Sequence, residues 1–432
     1  MKRFAILLLL VSPFAFAQDP GWGDARIAFY AQGINTKDIG GSSTYSELVT
    51  QFSLNSPFNS VDWDYGIDFR AAGYPGAEAR ASRVSVYNAF VGRQIGSFGV
   101  RAGQIWLNEL GSLGSIGGGA FQYKIRKSET NQIRFGAFGG LEPEILDAAY
   151  ASGVKKFGAY AAVDADQGRN HVIGYVNINN SGLTERSVIV FTNYLPIEKK
   201  LYVYQSAEVD LVGPGGTGSG GMNYFFINGR YTTASNNVNV FATYHHGRSI
   251  DARSITDDVL NGRPVDPARL NGLLFESFDF RVMTKVIGSF QVFGSYGQDR
   301  NNREEQANQR ITFGFFTGSI GNTGIDLHFS GNHITPPAGT AYDYWDVSAG
   351  KTVGDKVYVS GEYASSVSLV SVSNSNGIIL EPGPRATLYG GSALVNVSRA
   401  MGLLFTLEHS SDQNYTETRF LGGITYRLSG KR

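Results

Sequence analysis

Residues 61–72 read Val-Asp-Trp-Asp-Tyr-Gly-Ile-Asp-Phe-Arg-Ala-Ala. In an extended chain, successive side chains point to opposite faces. Val61, Trp63, Tyr65, Ile67 and Phe69 therefore share one face, while Asp62, Asp64, Asp68 and Arg70 share the other. One apolar face and one charged face describe a β-strand lying between two unlike media. The pattern returns about every 19 residues to the end of the chain. Ile325, Leu327 and Phe329 alternate with Asp326, His328 and Ser330, and Phe278, Phe280 and Val282 with Asp279, Arg281 and Lys285. Val357, Val359 and Tyr363 alternate with Lys356, Ser360 and Glu362, and Leu403, Phe405 and Leu407 with Thr406 and Glu408.

The alternation follows an export leader. Lys2 and Arg3 give a positive start, Phe4 to Val11 an apolar run too short to span a bilayer, and Ala15-Phe16-Ala17 a small-x-small cleavage site. Residues 1–17 are read as a cleaved signal peptide and 18–432 as one domain. With no cysteine at the cleavage site, a lipoprotein is excluded. No later stretch of 18 apolar residues predicts a membrane-spanning helix. The 37 basic and 37 acidic residues balance, which argues against nucleic acid as a partner. Zero Cys excludes disulfides, thiol chemistry and covalent haem attachment in this chain.

An exported chain of amphipathic strands predicts an all-β fold, a transmembrane antiparallel up-and-down barrel in a bacterial outer membrane. Its apolar face meets lipid, and insertion machinery and outer-membrane lipid are its expected partners. Counting the alternations gives about 22 strands, within an even range of 18–24. Odd-numbered connections such as 73–80, 108–118, 249–272 and 367–384 read as longer external loops, and even-numbered ones such as Ile95 to Ser97 and Ile287-Gly288 as short turns. The connection 179–183 is short for an external loop and is the weak point of the count. No globular plug domain precedes the alternation, which starts by Asp24.

A charge facing lipid at the midplane costs roughly 2–4 kcal/mol for Arg or Lys, so the charged face must line the lumen. Candidate lining residues are Asp62, Asp64, Asp68, Arg70, Arg230 and Asp279. Arg281, Lys285, Arg310, Asp326, Glu362 and Glu408 complete the set, and Lys351 is also placed inside. Signs are mixed, which predicts no ion selectivity and fits salt-bridge ladders along the wall. Residues 106–119 are apolar and Gly-rich, unlike a solvated loop. Leu107, Leu110, Leu113 and Ile116 recur every three residues, so a short helical turn carrying Trp106, Glu109, Leu110, Leu113 and Ile116 is a candidate constriction.

Other motifs carry less. His245 and His246 point to opposite faces of a strand, as do His328 and His333, and cannot chelate one ion together. The run 213–221 lacks the Lys-Ser/Thr of a phosphate loop and reads as a flexible external loop, and 249–272 reads as a solvated one. No Gly-x-Ser-x-Gly elbow appears, and the chain is read as a non-enzyme without a bound cofactor or metal.

The last strand carries Gly423-x-x-Tyr426-x-Leu428, which resembles the C-terminal β-signal of outer-membrane barrels, although Ser429 to Arg432 trail beyond it. Taken whole, the mature chain resembles outer-membrane porins. That resemblance implies a passage for small solutes. Its size, missing plug and wide lumen also resemble the barrel component of porin–cytochrome conduits. That second resemblance implies a sheath around a periplasmic multihaem cytochrome, with any haem belonging to the partner.

Overall fold

The computed structural model describes residues 24–429, except 39, 57–62, 76–80, 127, 129, 145–146, 199, 218, 305, 322, 338–339, 375–376 and 413. The leader and Asp62 lie outside the described residues. The first strands are β1 (Asp24–Asp38), β2 (Gly41–Asn55), β3 (Trp63–Gly73), β4 (Arg83–Ile95), β5 (Phe98–Trp106) and β6 (Ser115–Arg126). Next come β7 (Gln132–Pro143), β8 (Tyr150–Ala165), β9 (Arg169–Asn180), β10 (Leu183–Ile197), β11 (Leu201–Val212) and β12 (Ser219–Thr232). The third group is β13 (Val238–Ser249), β14 (Leu273–Ile287), β15 (Phe290–Asn301), β16 (Asn308–Thr317) and β17 (Ile325–Thr335). The chain closes with β18 (Tyr342–Val353), β19 (Val357–Asn374), β20 (Gly377–Asn396), β21 (Met401–Ser411) and β22 (Thr416–Ser429).

Each strand pairs antiparallel with its chain neighbours, and β1 also pairs with β22, closing one 22-stranded barrel. Closure leaves no unpaired sheet edge around the wall, which a chain in lipid requires. The expected strand count holds, including the weak point: β9 and β10 are joined by Ser181-Gly182, whose φ angles of 52° and 98° fold the chain back at once. Among the short turns, Gly96 at φ 58° sits in the two-residue connection from β4 to β5, a left-handed conformation that glycine adopts without a side-chain clash.

The register fixes the two faces. Ile27 stands between Phe52 and Tyr426, and Phe69 lies opposite Phe52, so the apolar sets of adjacent strands form one outer belt. At its short-turn rim Trp63 is 53% exposed and carries the Arg93 guanidinium 5.6 Å from its ring centre, an amphipathic pair suited to the lipid–water interface. Phe313 is 58% exposed in the middle of β16 on this belt. Phe313→Arg should cost about 2–4 kcal/mol of barrel stability, read by denaturant unfolding in lipid vesicles. Lys351 departs from expectation: it lies opposite Ile325 on the belt face, two residues from the end of β18. Near a rim a lysine reaches water along its own stem, so the midplane argument does not bind it.

Three connections differ from their sequence reading. Residues 367–384 are mostly paired extensions of β19 and β20 rather than a loop. Residues 249–272 hold two helices, α1 (Ala252–Leu260) and α2 (Pro267–Asn271). α1 is capped by Asp251, which accepts from the Ser254 N–H at 3.1 Å, and it buries Ala252, Ile255 and Thr256. Gly213, Pro214 and Gly215, expected in a flexible loop, are buried too. Gly215 takes φ 65°, and a Cβ there would meet Val259 of α1 at 3.1 Å, so the glycine lets the helix close on this turn.

Candidate channel lumen and its inward-folded loop

Residues 108–114 form a 3₁₀ segment broken at Gly111. Its side chains eclipse every third residue, matching the spacing of Leu107, Leu110 and Leu113. These leucines, with Ile105 and Ile116, are buried against Phe138, Tyr160, Val172, Val176, Val188 and Val190. Those six share a face with Arg134, Lys156 and Arg186, so the segment packs on the charged face and lies inside the barrel, along the wall of β7–β10. Gly174 makes room for it: a Cβ there would come within 2.4 Å of Leu110 Cδ2. Trp106 is 40% exposed on the opposite face of β5 and takes no part in the cluster.

Polar contacts seat the segment. Glu109 pairs with Arg134, which also donates from Nε to Asp164 Oδ2 at 2.8 Å. Ser112 Oγ donates to Glu208 Oε1 at 3.0 Å, and Arg186 spans Glu208 and Asp210 at 3.3 and 2.7 Å. Lys156, only 2% exposed, donates to the Ser115 carbonyl at 3.2 Å and pairs with Glu142 at 3.3 Å. Glu142 accepts in turn from Arg253 of α1 at 2.7 Å, and Arg253 reaches Glu185 at 2.5 Å. Burial works against the Arg253 charge, but the Glu185 hydrogen bond and the charges of Glu185 and Glu142 more than restore it, so its pKa is raised. Asn180 Nδ2 donates to Asp257 Oδ1 of α1 at 3.0 Å. The 3₁₀ segment, the 213–216 turn and α1 thus form one cover that seats on β7–β10 and reaches Glu208 of β11, tied through Glu142.

This cover was only half visible in the sequence. The signal for its seat was present in β9, where Val172, Val176 and Ile178 are apolar inside while Ile173 and Tyr175 are apolar outside. A strand apolar on both faces is covered on both faces.

The described lumen candidates share the charged face. Asp64 receives Arg101 Nε at 2.5 Å, Arg70 reaches Glu47 at 3.3 Å, Arg310 reaches Asp279 at 3.5 Å and Glu408 lies 3.6 Å from Arg419. These are the expected ladder pairs. Others stand differently. Arg230 and Arg281 flank Phe241 in one cross-strand row, with Arg230 5.6 Å from the Phe241 ring centre and Arg281 5.2 Å from that of Phe293. Tyr358 donates to Asp326 at 3.1 Å. Glu362 folds across Gly390, where a Cβ would meet its carboxylate at 2.6 Å. Asp68 and Lys285 form no ion pair among the described residues. His245 lies inside opposite Phe226, whereas His246 lies outside, 3.5 Å from Glu276, as the alternation requires. Gly423 sits at the closing seam beneath the Tyr30 ring, and Tyr426 lies opposite Ile27.

A closed 22-stranded barrel with a lipid-suited belt and a charged interior that carries an inward-folded loop has the architecture of a porin-type outer-membrane β-barrel. No protein-family model and no curated protein sequence matches the chain. Among solved structures it is similar to the outer membrane protein opdK of Pseudomonas aeruginosa, at 8% identity and TM-score 0.43 over 95% of this chain and 100% of that one. OccAB4 of Acinetobacter baumannii gives 9% identity and TM-score 0.45 over 95% and 99% of the two chains. At this level the likeness adds nothing to what the strand register establishes.

Proposed function

We propose that the chain, exported by cleavage after Ala17, forms a water-filled passage for small polar solutes across the outer membrane. One observation carries this reading. The cover seals the inner wall of β7–β10, while the charged side chains facing the rest of the lumen remain accessible, Arg70, Arg310 and Arg419 each being more than 40% exposed. Charged groups are kept that accessible only against water. The inward segment narrows the passage to one side, so molecules are admitted by size. A sheath around a haem protein gains no support from this arrangement, because the chain's own segments already cover part of the lumen wall.

The test is swelling of liposomes that contain the purified barrel, in osmotic gradients of graded polyols. The expected result is rapid entry of small solutes with a cut-off as size increases. Swelling no faster than in protein-free liposomes would overturn the reading.

A further inference from the structure

We propose that the inner wall of β14–β21 is a binding track for a neutral polyhydroxylated ring, that is, a saccharide. The inference deepens the passage reading by naming its substrate class. Two recesses in this wall mark the track, and three kinds of side chain argue for the ligand.

The upper recess holds about 390 Å³ and the lower about 340 Å³, both within the range of about 300–1,000 Å³ typical of small-molecule clefts. Asp326 in the lower recess and His328 in the upper are two residues apart on β17, so the two recesses adjoin along one strand, about 7 Å apart there. Hydroxyl and amide groups come first. In the upper recess Thr312 Oγ1 donates to Asn332 Oδ1 at 2.7 Å, Asn332 Nδ2 to Ser330 Oγ at 3.4 Å, and Ser330 to Asp346. In the lower one Ser360 and Ser392 share a hydrogen bond at 2.7 Å beside Thr406.

Aromatic rings come second. Phe293 and Phe316 face the upper recess, with the Arg281 guanidinium 5.2 Å from the Phe293 ring centre and the His328 ring nearly parallel to it at 6.1 Å. Fixed apolar surface in a wet lumen gains by being covered, and the C–H face of a sugar ring is apolar while its rim is not. Charge comes third. Arg310 sits 3.5 Å from Asp279, a guanidinium beside a carboxylate. A solute of either net sign therefore meets attraction and repulsion within one strand spacing. A neutral polyol uses the cations as donors and the carboxylates as acceptors without that conflict.

The experiment records ionic current through the purified barrel in a planar bilayer while maltotriose is added. A polyethylene glycol of equal size, glycine betaine and citrate serve as comparisons. The proposal expects maltotriose to interrupt the current saturably, the equal-sized glycol to do so at least several-fold more weakly, and Phe293→Ala and Thr312→Val each to weaken the sugar effect at least 5-fold. Phe293→Tyr, which keeps the ring, should retain it. Equal effects of sugar and glycol, or stronger saturable block by betaine or citrate, would overturn the proposal and leave the passage intact. Absence of current would instead count against the passage. Calorimetric titration of the detergent-solubilised barrel with maltotriose would then decide the site alone: heat of binding lost in Phe293→Ala supports it, and no heat rejects it.

Discussion

Leu110→Asp should raise the single-channel conductance several-fold and widen the solute size limit. Leu110 is fully buried at the centre of the cluster that holds residues 108–114 to the wall. Its burial contributes about 1.5–3 kcal/mol. A carboxylate in the same position would be buried without a partner, which costs several kcal/mol, more than the remaining contacts of a seven-residue segment readily offset. The segment then leaves its seat, and the wall of β7–β10 becomes wet. Gly174→Val, which fills the seat from the other side, should have the same direction of effect through a different residue. Conductance unchanged in both variants would mean that the segment does not narrow the passage.

Glu142→Ala should destabilise the seated cover by removing the carboxylate that links Lys156 to Arg253. It leaves Lys156, at 2% exposure, without a carboxylate and releases one of the two acids on Arg253. Removing one partner of a buried ion pair typically costs about 3–5 kcal/mol, because the remaining charge stays desolvated. The Ser115 carbonyl still accepts from Lys156, and Glu142 is itself partly exposed, so the lower end of that range is expected. Denaturant unfolding reads the loss, and current noise reads the loosening of α1. The double variant Glu142→Ala with Lys156→Met should recover most of the stability, since a hydrophobic replacement of a buried pair is often close to neutral. Failure of Lys156→Met to recover it would place the effect elsewhere, in the contact of Glu142 with Arg253.

The barrel itself was legible because a strand in lipid writes its environment into every second residue. Trp63, Ile67 and Phe69 against Asp64, Asp68 and Arg70 fix both the element and its two faces, and the same arithmetic gives all 22 strands. The inward turn was legible for a local reason too, since leucines three apart match a 3₁₀ period. What could not be read was what meets what across the lumen. Arg253 reaching Glu142 spans 111 residues, and Ser112 reaching Glu208 spans 96, and nothing local in 249–272 reports a buried partner. The ribbon at 367–384 was missed for a different reason: its run of Ser and Asn looks like loop, but Ser371, Ser373 and Asn374 pair strand to strand as β19 extends.

The most direct test of the half-covered lumen uses the absence of cysteine in this chain. Single cysteines are placed at Ala162, fully buried beneath the inward segment, and at Ser295, on the upper recess of the proposed track. Each is exposed to a water-soluble thiol reagent while ionic current is recorded. The account predicts fast modification of Ser295→Cys with a stepwise fall in current, and protection of Ala162→Cys until Leu110→Asp is added. Equal rates at the two positions, or modification of Ser295→Cys without any change in current, would contradict it.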